Sequence, residues 1–232
     1  MESLEVKGIT QRYYDSNGNL FTALEDVSLR WERGQSIAVM GESGSGKSTL
    51  ARLMVGLEKP VAGEIVIDGQ STRGWSNHQW RRCRTDLQAV FQDERGTLSP
   101  GRSVMQNAEE ALCNLTSMNR RQRESHIREL MARLGLDEKL LETPVRMLSG
   151  GEQRRIGLLR ALAVRPAFLI LDEVTASLDL LSTDAVVRLL QAYQKEHDCG
   201  YLLITHDRSV AARLCSHMIE IDHGQIIHEA CQ

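Results

Sequence analysis

Residues 4–10 (LEVKGIT), 26–31 (DVSLRW) and 63–69 (GEIVIDG) alternate apolar and polar side chains, the period of strands with one buried face. Together they predict a small antiparallel sheet. Between the second and third lies the apolar run SIAVM at 36–40, then the glycine-rich stretch GESGSGKST at 41–49, which the small sheet should wrap. LARLMVGL at 50–57 follows with a helical pattern and Gly56 near its end. The period changes over roughly residues 93–160. SVMQNAEEALCNL, RRQRESHIRELMARLGL and GEQRRIGLLRALAV carry apolar residues three and four apart with charges between them, which predicts a helical lobe. After Pro166, two compact apolar runs, FLILDE and YLLITHD, flank the helix-like STDAVVRLLQAYQKEH, the strand, helix, strand order of a parallel sheet. The expected path is therefore a strand and loop, a helical insertion, and a return to the same sheet. No internal repeat or long linker divides the chain.

The 232 residues suffice for one substantial core, so a single unit spanning 1–232 is expected. With 41% hydrophobic and 25% charged residues, the composition is that of an ordinary folded chain rather than a disordered one. The formal charge is −3, without the broad basic surface of a nucleic-acid binder. The short clusters WRRCR and NRRQR read as solvated helix faces, and no nucleic-acid partner is expected. MESLEVKGIT has neither a basic start nor an apolar core, and no 18-residue apolar stretch exists, so neither a signal peptide nor a membrane span is expected. Any membrane role must come through partners. Five scattered cysteines without a CxxC pair favour reduced thiols. His217, His223, His228 and Cys231 lie near one another on apparent edge strands, but their spacing is too irregular for a metal site.

Gly41, Gly46, Lys47 and Ser48 satisfy G-x-x-x-x-G-K-[ST] between an expected strand and an expected helix, the context of a phosphate-binding loop. Bare glycine backbone lets N–H groups approach phosphate oxygens, and the helix N-terminus adds positive potential. Lys47 would place a cation on the terminal phosphates, and Ser48 a hydroxyl on magnesium. FLILDE then ends in Asp172 and Glu173, at the strand edge where ligands gather in open parallel sheets. Asp172 would hold magnesium, and Glu173 would orient or deprotonate the attacking water. LQAVFQ ends in Gln92 and LLITHD in His206. An amide can sense magnesium or water, and an imidazole can hydrogen-bond a γ-phosphate oxygen.

A further element is LSGGEQRR at 148–155, where Ser149 and Glu152 stand at capping-box spacing. Gly150 and Gly151 weaken the helix's first turn by about 1 kcal/mol each, a cost that makes sense where backbone must approach a ligand. A serine and glycines at a helix start form a second phosphate clamp, although the chain already has one. This clamp should serve the nucleotide of another copy or a partner.

These elements, in this order and over essentially the whole chain, resemble the nucleotide-binding subunit of ATP-binding cassette (ABC) transporters. The resemblance implies an α/β fold: a P-loop NTPase core with a mixed, mainly parallel sheet, an N-terminal antiparallel β-subdomain, and an inserted helical subdomain at about 93–160 carrying the signature. GESGSGKS looks like Walker A, Gln92 in VFQDE like the Q-loop, LSGGE like the signature, FLILDE like Walker B, SLD at 177–179 like the D-loop, and His206 like the switch histidine. Tyr13 looks like the aromatic that stacks on adenine, with adjacent Tyr14 as the alternative. The implied cofactors are ATP and Mg²⁺. Glu173, His206, Lys47 and Gln92 would serve catalysis, and Ser48, Gln92 and Asp172 the metal. Tyr13, Gly41, Ser43, Gly44, Gly46, Lys47, Ser48, Thr49, Gln92 and Asp179 would contact nucleotide, with Ser149, Gly150 and Gly151 reaching that of another copy or a partner. Two positions depart from the usual pattern: Glu152 stands where glutamine is commonest, and Val174 where proline is usual.

GESGSGKSTLARLMVGLEKPVAGEI and QAVFQDERGTLSP are most similar to ATPases of peptide, opine and nickel importers. The resemblance implies a peripheral protein on the cytoplasmic face of the membrane. It would pair head to tail with a second ATPase, its own copy or a sister chain, beneath two transmembrane permease subunits. An extracytoplasmic solute-binding protein would deliver cargo. An ABC ATPase of a soluble enzyme assembly, as in phosphonate breakdown, and an exporter carry the same motifs and remain as alternatives. DNA-repair and chromosome ATPases insert long coiled coils before the signature, for which the 101 residues between Lys47 and Ser149 leave no room. A kinase or GTPase has no use for the signature.

Overall fold

The computed structural model of the protein describes residues 1–92, 98–176 and 179–231. In chain order it contains β1 (Ser3–Tyr14), β2 (Leu20–Glu32), β3 (Ile37–Met40), α1 (Lys47–Met54), β4 (Ala62–Ile67), β5 (Gln70–Ser71), α2 (Asn77–Cys83), β6 (Leu87–Val90), α3 (Val104–Leu115), α4 (Arg120–Arg133), α5 (Gly150–Ala163), β7 (Phe168–Asp172), α6 (Leu180–His197), β8 (Gly200–Ile204), α7 (Arg208–Leu214), β9 (His217–Asp222) and β10 (Gln225–Cys231).

The three alternating segments fall in one antiparallel sheet, ordered β2-β1-β4-β5. β1 and β2 run longer than their alternation suggests because register shifts near Val6, Ile9 and Gln11 break the period of two. The second sheet has the order β10-β9-β3-β8-β7-β6 and is parallel except for β10. Its central strands are buried on both faces, which is why they read as unbroken apolar runs. Ile37, Val39, Phe168, Ile170, Leu202 and Ile204 point to α1 and the antiparallel sheet. Ala38, Met40, Leu169, Leu171, Tyr201 and Leu203 point to the helical side.

α1 lies between the two sheets, with Leu50, Leu53 and Met54 at 1% exposure or less. Each such side chain contributes roughly 1.5–3 kcal/mol by leaving water, so the helix start is held firmly against the glycine-rich loop. The helix begins at Lys47, inside the motif, rather than at residue 50, because the motif's glycines and serines give no apolar period. It stops at Met54, with Val55 as its cap and Gly56 at φ 70°. α6 likewise starts earlier than its pattern, at Leu180, because Leu180 and Leu181 are 89% and 85% exposed and carry no buried face.

The lobe expected over about 93–160 holds α3, α4, two 3₁₀ turns at Glu138–Glu142 and Val145–Met147, and the start of α5. α5 runs on to Ala163, burying Ile156, Leu159 and Leu162 against the common core. β9 pairs with both β3 and β10, so His217 sits on an interior strand and not on an edge. Among the described residues, no helix is long and apolar enough to cross a membrane.

Candidate nucleotide site

β3 delivers the chain to the 41–46 loop and α1 takes it away. Gly41 has φ 142° and Gly46 φ 108°, conformations open essentially to glycine alone. Space demands glycine too. A Cβ on Gly41 would stand 2.1 Å from the Ile221 carbonyl oxygen, and one on Gly46 2.3 Å from that of Ala23. The loop is thus threaded between β9 and β2. Ser43 and Gly44 are exposed at its crest, while Ser45 and Thr49 are buried beneath. Lys47 arches back over the loop, its Nζ donating to the carbonyls of Gly41 at 2.9 Å and Glu42 at 2.6 Å and to Ser45 Oγ at 3.3 Å. Burial pushes this ammonium's pKa down, against the upward pull of the Glu173 and Asp172 carboxylates. One cation is thereby held over a ring of oxygens that a phosphate could replace.

Asp172 ends β7 and is 3% exposed. Burial raises its pKa, opposed by a hydrogen bond from Ser48, while the neighbouring Glu173 charge raises it further. Its Oδ1 is buried with no hydrogen-bond partner. A buried, orphaned carboxylate oxygen beside a hydroxyl is costly for the bare protein, and it fits a small hard cation such as Mg²⁺.

Glu173 follows at φ 54°, a left-handed conformation that costs a non-glycine residue about 1–2 kcal/mol. Its N–H donates to the Ile204 carbonyl at 3.0 Å, which ties the turn to β8. Its carboxylate meets His206 Nδ1 at 3.1 Å from both oxygens; the hydrogen bond is to Oε1, and buried Oε2 makes none of its own. That bond, and then the Glu173 charge, raise the His206 pKa. Gln92 is exposed two residues past Val90, whose partner is Leu171, so it stands at the same carboxyl edge.

Beside the loop is a cleft of about 380 Å³ lined by Tyr13, Phe21, Ala23, Gly44, Gly46, Lys47, Ser48, Thr49 and Arg52. Tyr13 is half-buried there, whereas Tyr14 is 74% exposed and does not line the cleft. Its ring packs 5.8 Å from that of Phe21, and its hydroxyl donates to Glu58. Burial first, and then this bond, raise the phenol's pKa. Sequence reasoning missed Phe21, Arg52 and Glu58. Only the strand pairing Tyr13↔Phe21 brings the second ring in, and no motif marks Glu58.

Ser149, Gly150 and Gly151 do not line this cleft. Ser149 caps α5, and its capping box with Glu152 is complete. Ser149 and Gly150 are exposed, and a Cβ on Gly150 would meet nothing within 4 Å. Among the described residues, nothing therefore demands glycine at 150. Asp179 caps α6, accepting from Ser182 N at 2.9 Å and Ser182 Oγ at 2.6 Å. Residues 177 and 178 of the expected SLD element lie outside the described residues.

Comparison with known proteins shows the family. The ABC transporter family model matches residues 24–176. Nickel import ATP-binding protein NikE of Escherichia coli (strain K12) is 36% identical over 231 residues, covering 98% of this chain and 86% of that protein. The ATP-binding cassette MJ0796, solved as a dimer in a post-hydrolysis state with ADP and Pi, superimposes with a TM-score of 0.90 at 28% identity over 98% of both chains. Clostridium perfringens cbiO1, part of the ABC transporter complex cbiONQ, gives 0.80 at 28% identity over all of this chain and 89% of that one. Matched by the family model over residues 24–176 and by a relative 36% identical over 98% of its length, the chain belongs to the ABC transporter family, as an ATP-binding subunit that hydrolyses ATP.

Proposed function

We propose that this protein powers uptake of nickel, or of a peptide- or opine-like solute, by hydrolysing ATP beneath partner membrane subunits. The observation that carries the reading is the convergence of Lys47, Ser48, Asp172, Glu173 and His206 on one loop and strand edge. The relation to NikE supports an importer and points to nickel within that group.

In this reading Tyr13 stacks on adenine and Phe21 backs it. The amides around Gly44 and Gly46 cradle the phosphates, while Lys47 exchanges its carbonyl partners for phosphate oxygens. Ser48 and Asp172, with Gln92 near, would hold Mg²⁺, which when bound would neutralise phosphate charge. Glu173 aligns the attacking water and accepts its proton, and His206 steadies the γ-phosphate from the next strand. The strained turn at Glu173 suits a group whose aim matters more than its comfort.

The clamp of Ser149, Gly150 and Gly151 has no nucleotide in its own chain. It closes on the ATP of a second ATPase subunit, and Asp179 with the exposed Leu180 and Leu181 lies in that joint. The open space at Gly150 supports this assignment, and ATP binding then biases closure. Two permease subunits receive the motion at the cytoplasmic face of the membrane, and an external solute-binding protein supplies cargo. The whole chain acts as one domain, with its helical lobe as the part that meets the permeases.

Purification of tagged protein from its host in mild detergent, with companions identified by mass spectrometry, tests the reading. Two multi-span membrane proteins and ATP hydrolysis stimulated by nickel-loaded or solute-loaded binding protein are expected. Recovery of soluble metabolic enzymes alone would overturn it.

A further inference from the structure

The start of α5 already carries an anion of its own. Ser149 donates to Glu152 Oε2 twice, through its backbone N–H at 2.8 Å and its hydroxyl at 2.7 Å, and the Glu152 N–H returns a bond to Ser149 Oγ at 3.3 Å. The hydroxyl proton that a phosphate would need is therefore spent on a carboxylate. That carboxylate's pKa is lowered by the Ser149 hydroxyl and then by the Ser149 N–H, so it remains charged at neutral pH. The charge of Arg155 lowers this pKa further, but that guanidinium makes no hydrogen bond to the carboxylate among those described, its side chain being directed to the carbonyls of Gly151, Leu134 and Gly135 at 3.4 Å.

Three other helices supply an internal comparison. α2, α3 and α4 also begin with complete capping boxes, but there the third residue is Gln79, Gln106 or Gln122. Their amide oxygens accept from the cap N–H of Ser76, Ser103 and Asn119 at 2.9, 3.0 and 2.9 Å. A neutral glutamine thus makes the same cap in this very chain. The charge at 152 adds nothing that capping requires.

We propose that Glu152 is a positioning residue that latches the clamp: it holds Ser149 in reserve and repels the incoming γ-phosphate of the partner subunit's ATP until closure displaces it. This inference rests on the reading of Ser149 as a clamp in trans. Like charges brought together at a helix N-terminus weaken binding, and salt screens them. Closure therefore requires more ATP than a neutral signature would, and the requirement falls as ionic strength rises.

The test uses the assembled transporter in lipid nanodiscs, with ATP as the probe. Glu152→Gln keeps both acceptor contacts and removes the charge. It should lower the KM for ATP about 2- to 5-fold at low salt with kcat little changed, the gap closing at high salt. Glu152→Ala removes the cap as well. If charge is the cause, it too lowers KM, though with a reduced Tm. An unchanged or raised KM in Glu152→Gln at low salt, or a gap indifferent to salt, overturns the latch. Ser149→Arg separates the two ideas. If it leaves ATP-driven pairing intact, the clamp reading itself fails; if it blocks pairing while Glu152→Gln changes nothing, only the latch fails.

Discussion

His206 Nδ1 lies 3.1 Å from Glu173 Oε1, joining the polar groups that follow two neighbouring strands. The contact raises the His206 pKa above its ordinary value of 6.5. A group raised in the fold adds its stability in full below the unfolded pKa and loses it as pH climbs through the folded one. His206→Gln should therefore melt below the parent in mildly acidic buffer and converge with it as the pH is raised well above neutral. A melting-temperature gap that stays constant across that range would count against the pairing.

Glu173→Gln keeps the size of the side chain and discards the base. ATP affinity, read by calorimetry, should stay within about threefold, while turnover by the assembled complex falls about 10²–10⁴-fold. Hydrolysis near the parent rate would remove Glu173 from the chemistry.

Asp172 presents the reverse bargain. Its raised pKa means that the charged form is disfavoured in the fold, so at neutral pH its ionisation destabilises the nucleotide-free protein. Asp172→Asn should raise the Tm of that state by about 2–4 °C, yet lose most of the additional stabilisation given by ATP with magnesium. A Tm that drops without nucleotide, or an undiminished magnesium response, contradicts this account.

Tyr13 separates stacking from hydrogen bonding. Tyr13→Phe loses the bond to Glu58 but keeps the ring, and ATP affinity should change less than about twofold. Tyr13→Ala should weaken it about 5- to 100-fold, the worth of stacking one base. Equal losses in both variants would mean that the hydroxyl, not the ring, matters.

The sequence already displays the elements that act through their own chain neighbours. The 41–48 motif, the apolar run before Asp172 and the Ser149 cap all depend on local spacing, and each forms where its pattern predicts. What stayed hidden depends on distant pairing. Phe21 reaches the cleft only because β2 folds back on Tyr13. Glu58 becomes a partner through a bond across 45 residues. The orphaned Oδ1 of Asp172 is a property of burial, which no motif encodes. The starts of α1 and α6 lie earlier than their patterns predict, since neither the glycines before Lys47 nor the exposed Leu180 and Leu181 show a buried stripe.

β3 is complete by Met40, yet both strands beside it, β8 and β9, come from residues 200–222, and Gly41 is seated against the Ile221 carbonyl. A chain emerging from the ribosome makes the lysine of its loop well before the wall of that loop. Until β9 has emerged, the growing polypeptide has no finished cradle in which to hold a triphosphate. The loop's cradle is thus a product of long-range pairing, closed only when β2 and β9 have both folded around its glycines.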